Sequence, residues 1–367
     1  MTAFLVLGDG TVLRGIGFGA EKEVYGEVVF TTAMVGYPES LTDPSYRGQI
    51  LVETNPLIGN YGVPDRRLSE NGLPLHYESD EIQVEGFVIS RLMRPSHWSS
   101  VKNLDEWLRD EGVPGIWGID TRALVKKLRE RGVMIGAIVP EDPEGALERL
   151  KRFDYERENF VERVSPSRPV IHEPPKWDET IVVVDMGIKY GILRELLRRN
   201  FRLIRIPYDW NVIKAVEAFE ASGVFFSNGP GNPALLKEVA KNARKAIDSG
   251  IPTMGVCLGE QVLAIADGAE VFKMKYGHRG INKPVKDLRS GKGFVTTQNH
   301  GYAIVPESLN EFEVIMVNLD DGTVEGIAHR EQPVIATQYH PEASPGPYDS
   351  TWVFDEFAKM VRGSADV

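Results

Sequence analysis

The chemistry in this sequence is concentrated on one sulfur atom. Cys257 is the single cysteine of the chain, which excludes an internal disulfide and any multi-thiolate zinc site, so its value lies in packing or in reactivity. It occurs in Gly255-Val256-Cys257-Leu258-Gly259, after a strand-like run and ahead of the helical run Glu260-Gln261-Val262-Leu263-Ala264-Ile265-Ala266. Small residues two before and two after a nucleophile permit the tight strand-to-helix turn that holds a side chain up at a sheet edge. The helix N-terminus has a positive end, which favours a thiolate, and it aims the Leu258 N–H at a developing oxyanion. Taken alone, a lone cysteine at a strand end is more often a small buried hydrophobe. The glycine spacing reverses that preference.

A thiol nucleophile needs a base, and seven histidines compete for the role: His76, His97, His172, His278, His300, His329 and His340. His340 ends a strand-like run and is followed two places on by a carboxylate, with a proline between them that restricts the backbone, in Gln338-Tyr339-His340-Pro341-Glu342. Glu342 could orient the imidazole and stabilise its cation, the third-member role of a catalytic triad. His300 sits in the turn-like Gln298-Asn299-His300-Gly301-Tyr302, where it is assigned a structural role. A second glycine loop, Ser227-Asn228-Gly229-Pro230-Gly231-Asn232-Pro233, could supply another backbone donor, although alone it is merely a turn.

These residues need elements to hold them. The pattern predicts strands at residues 180–184, 203–206, 224–226 and 253–256, separated by helical segments at 188–197, 212–219 and 235–249. Such alternation predicts a mostly parallel sheet flanked by helices, with sites at the C-terminal strand ends. Further strands at 271–274, 284–287, 294–297, 313–316, 324–328 and 334–338 suggest antiparallel additions before a closing helix at 351–361. The preceding part, residues 1–150, reads as a smaller mixed α/β domain. It has strands at 4–7, 27–32, 50–53 and 84–89, and a helix capped by Asp120 and stopped by Gly132. Residues 151–178, charged and then proline-rich, read as a linker to a domain spanning 179–367.

Composition narrows the classes. A chain of 367 residues with 42% hydrophobic content can bury a core in each of two domains. The net charge of -11 argues against binding nucleic acid or an anionic membrane, since such affinity comes from clustered Lys and Arg. The apolar runs fall far short of the roughly 20 residues needed to span a bilayer. Met1 to Leu7 lacks a basic leader region and runs into the hairpin turn Gly8-Asp9-Gly10-Thr11, so a cytoplasmic location is expected. No metal ligands are assigned.

Together, residues 255–261 and the distant His340-Pro341-Glu342 resemble the class I, triad-type glutamine amidotransferases, over residues 180–361. Ser227 to Pro233, Lys273-Met274-Lys275-Tyr276-Gly277-His278-Arg279-Gly280, and the run from His340 to Pro347 narrow the resemblance to the carbamoyl-phosphate synthetase small-subunit family. So do two runs outside that segment, Gly36-Tyr37-Pro38-Glu39-Ser40-Leu41-Thr42-Asp43-Pro44-Ser45-Tyr46 and Asn55-Pro56-Leu57-Ile58-Gly59-Asn60-Tyr61-Gly62.

The resemblance implies that Cys257 is the nucleophile, His340 the base and Glu342 its partner, with the backbone N–H groups of Gly229 and Leu258 forming an oxyanion hole. It implies contacts to L-glutamine from Ser45, Gly229, Gly231, Leu258, Gln261, Asn299, Gly301 and Tyr302. It further implies a heterodimer with a large subunit that binds ATP, Mg and bicarbonate and uses the ammonia to make carbamoyl phosphate for pyrimidine and arginine biosynthesis. This chain itself would bind no cofactor, and it has no G-x-x-x-x-G-K-[ST] motif. Two departures stand out. Glu260 occupies a position commonly His in the family, where a carboxylate suits the helix dipole but opposes a nearby thiolate. Residues 185–192 differ from the usual Phe-Gly-X-Lys-Arg-Asn pattern. An amidotransferase subunit for another acceptor, such as anthranilate synthase, is disfavoured by the Ser45-containing domain. A non-catalytic relative would be expected to have lost Cys257, His340 or Glu342.

Overall fold

The computed structural model describes residues 1–363, which divide into two compact units. Met1–Ser69 and Pro74–Glu158 form the first, while Glu70–Leu73 joins the chain from Asn159 onward in the second. Of the stretch read as a linker, residues up to Glu158 fall with the first unit and the rest with the second. There Val170–His172 pairs antiparallel with Phe201–Pro207.

The first unit is built on a closed seven-stranded barrel, where the sequence suggests only a mixed α/β domain. Around the barrel the strands run Thr2–Leu7, Met134–Val139, Val24–Thr31, Gln49–Glu53, Gly86–Ile89, Pro114–Trp117 and Val12–Gly19, which pairs back to the first. Closure satisfies every strand edge, but it depends on pairings between distant segments that local periodicity does not encode. Local signals fare better. Leu7 N–H donates to Thr11 O at 2.8 Å across the expected hairpin turn. Asp120 caps the helix Thr121–Arg131, accepting from Ala123 N–H, and Gly132 ends it with φ 95°.

The second unit centres on a ten-stranded sheet among the described residues. Its order is Val170–His172, Phe201–Pro207, Glu179–Asp185, Gly223–Phe226, Thr253–Val256, Val334–Thr337, Val324–His329, Phe312–Asn318, Val271–Asp287 and Gly293–Ile304. The five strands from Phe201–Pro207 to Val334–Thr337 are mutually parallel. Both faces of this part are covered, as its continuous apolar runs require. Val182, Val184 and Phe226 pack with Val262 and Leu263 on one face, while Ile181, Val183 and Phe225 pack with Phe354 and Phe357 on the other. Successive residues of one strand thereby enter opposite cores.

Two sequence expectations change here. The segments 271–274 and 284–287 are parts of one bulged strand, Val271–Asp287. The supposedly turn-like Gln298 to Tyr302 lies inside the strand Gly293–Ile304, where Asn299 pairs with Arg279 and His300 with His278. Polar residues there imitate a loop because the strand faces a site instead of a hydrophobic core.

Candidate active site

The site is assembled where the parallel strands end. Thr253–Val256 stops at Cys257, which caps the helix Leu258–Ala266 with φ 55° and ψ -105°, a backbone conformation costly for a residue with a β-carbon. The flanking glycines are sterically required. A β-carbon at Gly259 would meet Phe226 O at 2.1 Å, and one at Gly255 would lie 2.8 Å from the Gly259 carbonyl carbon. The elbow predicted from the sequence is thus physically present. The thiol is only 3% exposed and its Sγ lies 3.7 Å from Asn299 O.

His340 reaches the same place from the neighbouring strand. Thr337 pairs with Val256 in parallel register, Cys257 N–H donates to Thr337 O at 2.7 Å, and His340 N–H donates to Thr297 O at 2.8 Å. The ring is fully buried, with Nδ1 2.7 Å from Glu342 Oε1. Burial opposes a charge on this imidazole, but the Glu342 carboxylate outweighs it and raises the pKa to about 10. The Cys257 thiol is among the groups that help hold the ring proton, while Nε2 makes no hydrogen bond of regular geometry. A carboxylate on one side of the ring and a thiol acting on it are the groups that a nucleophile–base–orienter arrangement requires.

Glu342 has a buried cation beside it that the sequence did not single out. Lys189 Nζ lies 2.9 Å from Glu342 Oε1, with both side chains almost completely buried, and it also donates to Ala343 O at 2.9 Å. Burial alone would raise the Glu342 pKa, yet Lys189 and then His340 lower it to about 2. The carboxylate is therefore ionised when it meets the imidazole. The loop carrying Lys189 departs from the expected family pattern, but its position after the strand Glu179–Asp185 was the available signal: parallel strands deliver functional groups at their C-terminal ends.

Glu260 behaves differently from its sequence expectation. Its side chain is fully buried and neither oxygen has a hydrogen-bond partner. Burial, reinforced by the Glu325 carboxylate and Cys257, pushes its pKa well above the usual range. Burial thus favours the neutral acid, the form that opposes a nearby thiolate least.

The other sequence-selected residues fall as follows. Gly229 adjoins the elbow, since a β-carbon there would meet Met186 O at 2.2 Å and Leu258 Cδ2 at 2.8 Å. Leu258 opens the helix, where backbone N–H groups lack intrahelical acceptors. Gly231 lies on the same loop as Gly229 with φ 89°. Gln261 is buried, and its Nε2 is already engaged by Gln338 Oε1 at 2.9 Å and Tyr302 O at 3.2 Å. Asn299, Gly301 and Tyr302 share the strand Gly293–Ile304. His300 between them is held by Tyr302 O at 2.8 Å on Nδ1, and burial followed by His278 keeps its pKa well below the ordinary value. Ser45 belongs to the first unit, in the turn Pro44–Tyr46, where its N–H donates to Asp43 Oδ1 at 2.9 Å. Among the described residues, no helix is long and apolar enough to cross a membrane.

Comparison with known proteins agrees with this architecture. Residues 5–138 match the family described as carbamoyl-phosphate synthase small chain, CPSase domain, and residues 182–360 match glutamine amidotransferase class-I. The carbamoyl phosphate synthase small chain of Pyrococcus furiosus is 67% identical over 98% of both chains. That of Sulfolobus acidocaldarius is 51% identical over 99% of this chain and 97% of its own. The carbamoyl phosphate synthase arginine-specific small chain of Chaetomium globosum is 45% identical, covering 98% of this chain and 78% of its own. With both halves matched in order and near-complete coverage at such identity, the chain belongs to the carbamoyl-phosphate synthase small-chain family.

Proposed function

We propose that this chain hydrolyses L-glutamine to glutamate and ammonia and delivers the ammonia to a large subunit that makes carbamoyl phosphate from bicarbonate and ATP. One arrangement carries the reading: a cysteine at a strained strand-to-helix elbow beside a buried His340–Glu342 pair. In the first step the Cys257 thiolate attacks the side-chain amide carbon of glutamine. The oxyanion is met by the N–H groups of Gly229 and Leu258. The carbon–nitrogen bond then breaks as the His340 imidazolium gives its proton to the departing ammonia, leaving a γ-glutamyl thioester. Water attacks the thioester, His340 takes its proton, and glutamate leaves with the thiol restored. Gly231, Gln261, Asn299, Gly301 and Tyr302 hold the substrate. Gln261 acts through its carbonyl end, because its amide nitrogen is already bonded.

No step here calls on a cofactor of this chain; ATP, magnesium and bicarbonate belong to the large subunit. The product serves arginine formation, in keeping with the arginine-specific relative, and pyrimidine formation, in the cytoplasm. The test is co-purification with the large subunit followed by assays of glutamate release and glutamine-dependent carbamoyl phosphate synthesis. Both should proceed with the wild-type chain and fall by at least ~10³-fold with Cys257→Ser, while added ammonia still supports synthesis. Undiminished glutamate release by the serine variant would remove Cys257 from the mechanism.

A further inference from the structure

Close to the elbow lies a second group of ionisable side chains that the glutamine chemistry leaves unused. His278, His300 and Glu325 are all buried. One nitrogen from each ring and one carboxylate oxygen lie within 4.8 Å of one another. The two rings meet edge to face with centroids 5.1 Å apart.

Outer partners fix which atoms point inward. Tyr302 O, 2.8 Å from His300 Nδ1, can only accept, so Nδ1 carries the proton and Nε2, whose nearest partner is Gln298 Oε1 at 3.3 Å, keeps its lone pair. Asp321 Oδ2, 2.9 Å from His278 Nε2, does the same for that ring and leaves the lone pair on Nδ1, which lies 3.6 Å from Glu325 Oε1 and 3.4 Å from Asn318 Nδ2, a long contact that a metal would replace. Asn318 Nδ2 donates to Glu325 Oε1 at 2.7 Å. Imidazoles braced on the far side by a carboxylate or a backbone carbonyl are the usual outer arrangement around a metal.

A separate observation concerns the carboxylate of the cluster: Glu325 Oε2 is buried without a hydrogen-bond partner. Glu342 in the active site has Lys189 beside it. Glu325 is ion-paired with no lysine or arginine among the described residues, its ionisable neighbour being His278. Buried carboxylate oxygens left unbonded are costly.

We propose that His278 Nδ1, His300 Nε2 and Glu325 Oε2 form a binding site for a divalent transition metal. Two imidazoles and one carboxylate suit zinc best among the common ions. The ion would tie the strands Val271–Asp287, Gly293–Ile304 and Val324–His329 together. The middle strand carries Asn299, Gly301 and Tyr302, so metal loading stiffens that wall of the pocket. This consequence, unlike the binding itself, rests on the glutaminase reading.

The full-length chain, stripped with a chelator, should take up one equivalent of zinc in equilibrium dialysis and unfold at a higher temperature when loaded. Cobalt(II) in place of zinc should give the visible absorption of a low-coordinate nitrogen and oxygen site. His278→Ala and Glu325→Gln should each weaken zinc binding by at least ~100-fold, and the outer variant Asp321→Asn by roughly 10–100-fold. His97→Ala, at an exposed histidine, should change nothing. Asp321→Asn keeps the test decisive if either inner variant misfolds. Uptake well below one equivalent, or uptake that survives in the folded variants, overturns the site. Because these readouts need no glutamine, they stand or fall apart from the proposed activity; zinc removal would then raise the KM for glutamine more than it lowers kcat.

Discussion

The backbone N–H of Cys257 donates to the carbonyl of Thr337 at 2.7 Å, and this bond sets the cysteine in register with the strand that ends near His340. The parallel pairing of Val256 with Thr337 brings two segments far apart in sequence side by side. The His340 N–H bond to Thr297 O at 2.8 Å ties the base to the strand bearing Asn299. The backbones of Cys257 and His340 are therefore held by main-chain bonds to neighbouring strands, which leaves them little freedom to drift.

Glu342→Gln should lower kcat for glutamine hydrolysis by roughly 10²–10⁴-fold, since the imidazole loses both its orienter and the anion that stabilises its charged form. The same change strands the buried Lys189 charge, so a stability loss of about 3–5 kcal/mol is expected. Lys189→Met should also destabilise, and the double variant should be less unstable than the sum of the two single ones. Denaturant unfolding of the four proteins checks this. Simple additivity would mean that the two side chains do not interact.

Stability should depend on pH through the same pair. Glu342 falls from 4.5 unfolded to about 2 folded, so its contribution is full above pH ~4.5 and is lost as pH drops toward 2. His340 rises from 6.5 to about 10, so its contribution is full below pH ~6.5 and disappears as pH climbs toward 10. The pair therefore stabilises most between about pH 4.5 and 6.5. Thermal unfolding across pH, compared with His340→Ala, should show the alkaline decline disappear in the variant; an unchanged slope contradicts the assignment.

Gly259→Ala tests the elbow. Its new methyl group would lie 2.1 Å from Phe226 O, so the turn must open, at a cost of about 1–3 kcal/mol. Glutamate release should drop at least tenfold even where the variant remains folded, as judged by circular dichroism. Near-normal turnover would show that the turn tolerates a β-carbon and that its tightness is not what positions the thiol.

Much of this site was legible in the residues. The glycines around Cys257, the His340-Pro341-Glu342 run and the strand Thr253–Val256 each carry a local signal: a steric requirement, a fixed spacing or an apolar run. Lys189 was not singled out, because a lysine in a loop shows no sign of being buried until the chain folds over it. The reading of Gln298 to Tyr302 as a turn failed for a related reason. Polar residues in a strand that faces a site look like loop residues when only their neighbours in sequence are considered.

What the sequence determined by itself was the sharp turn at the sulfur, the pairing of imidazole with carboxylate, and the alternation of strands and helices, all of which follow from interactions between near neighbours. Only the tertiary structure decided that the first unit closes into a barrel, that Glu260 is fully buried, and that Lys189 meets Glu342. Those outcomes depend on which distant segments pair and on how much water is excluded when they do.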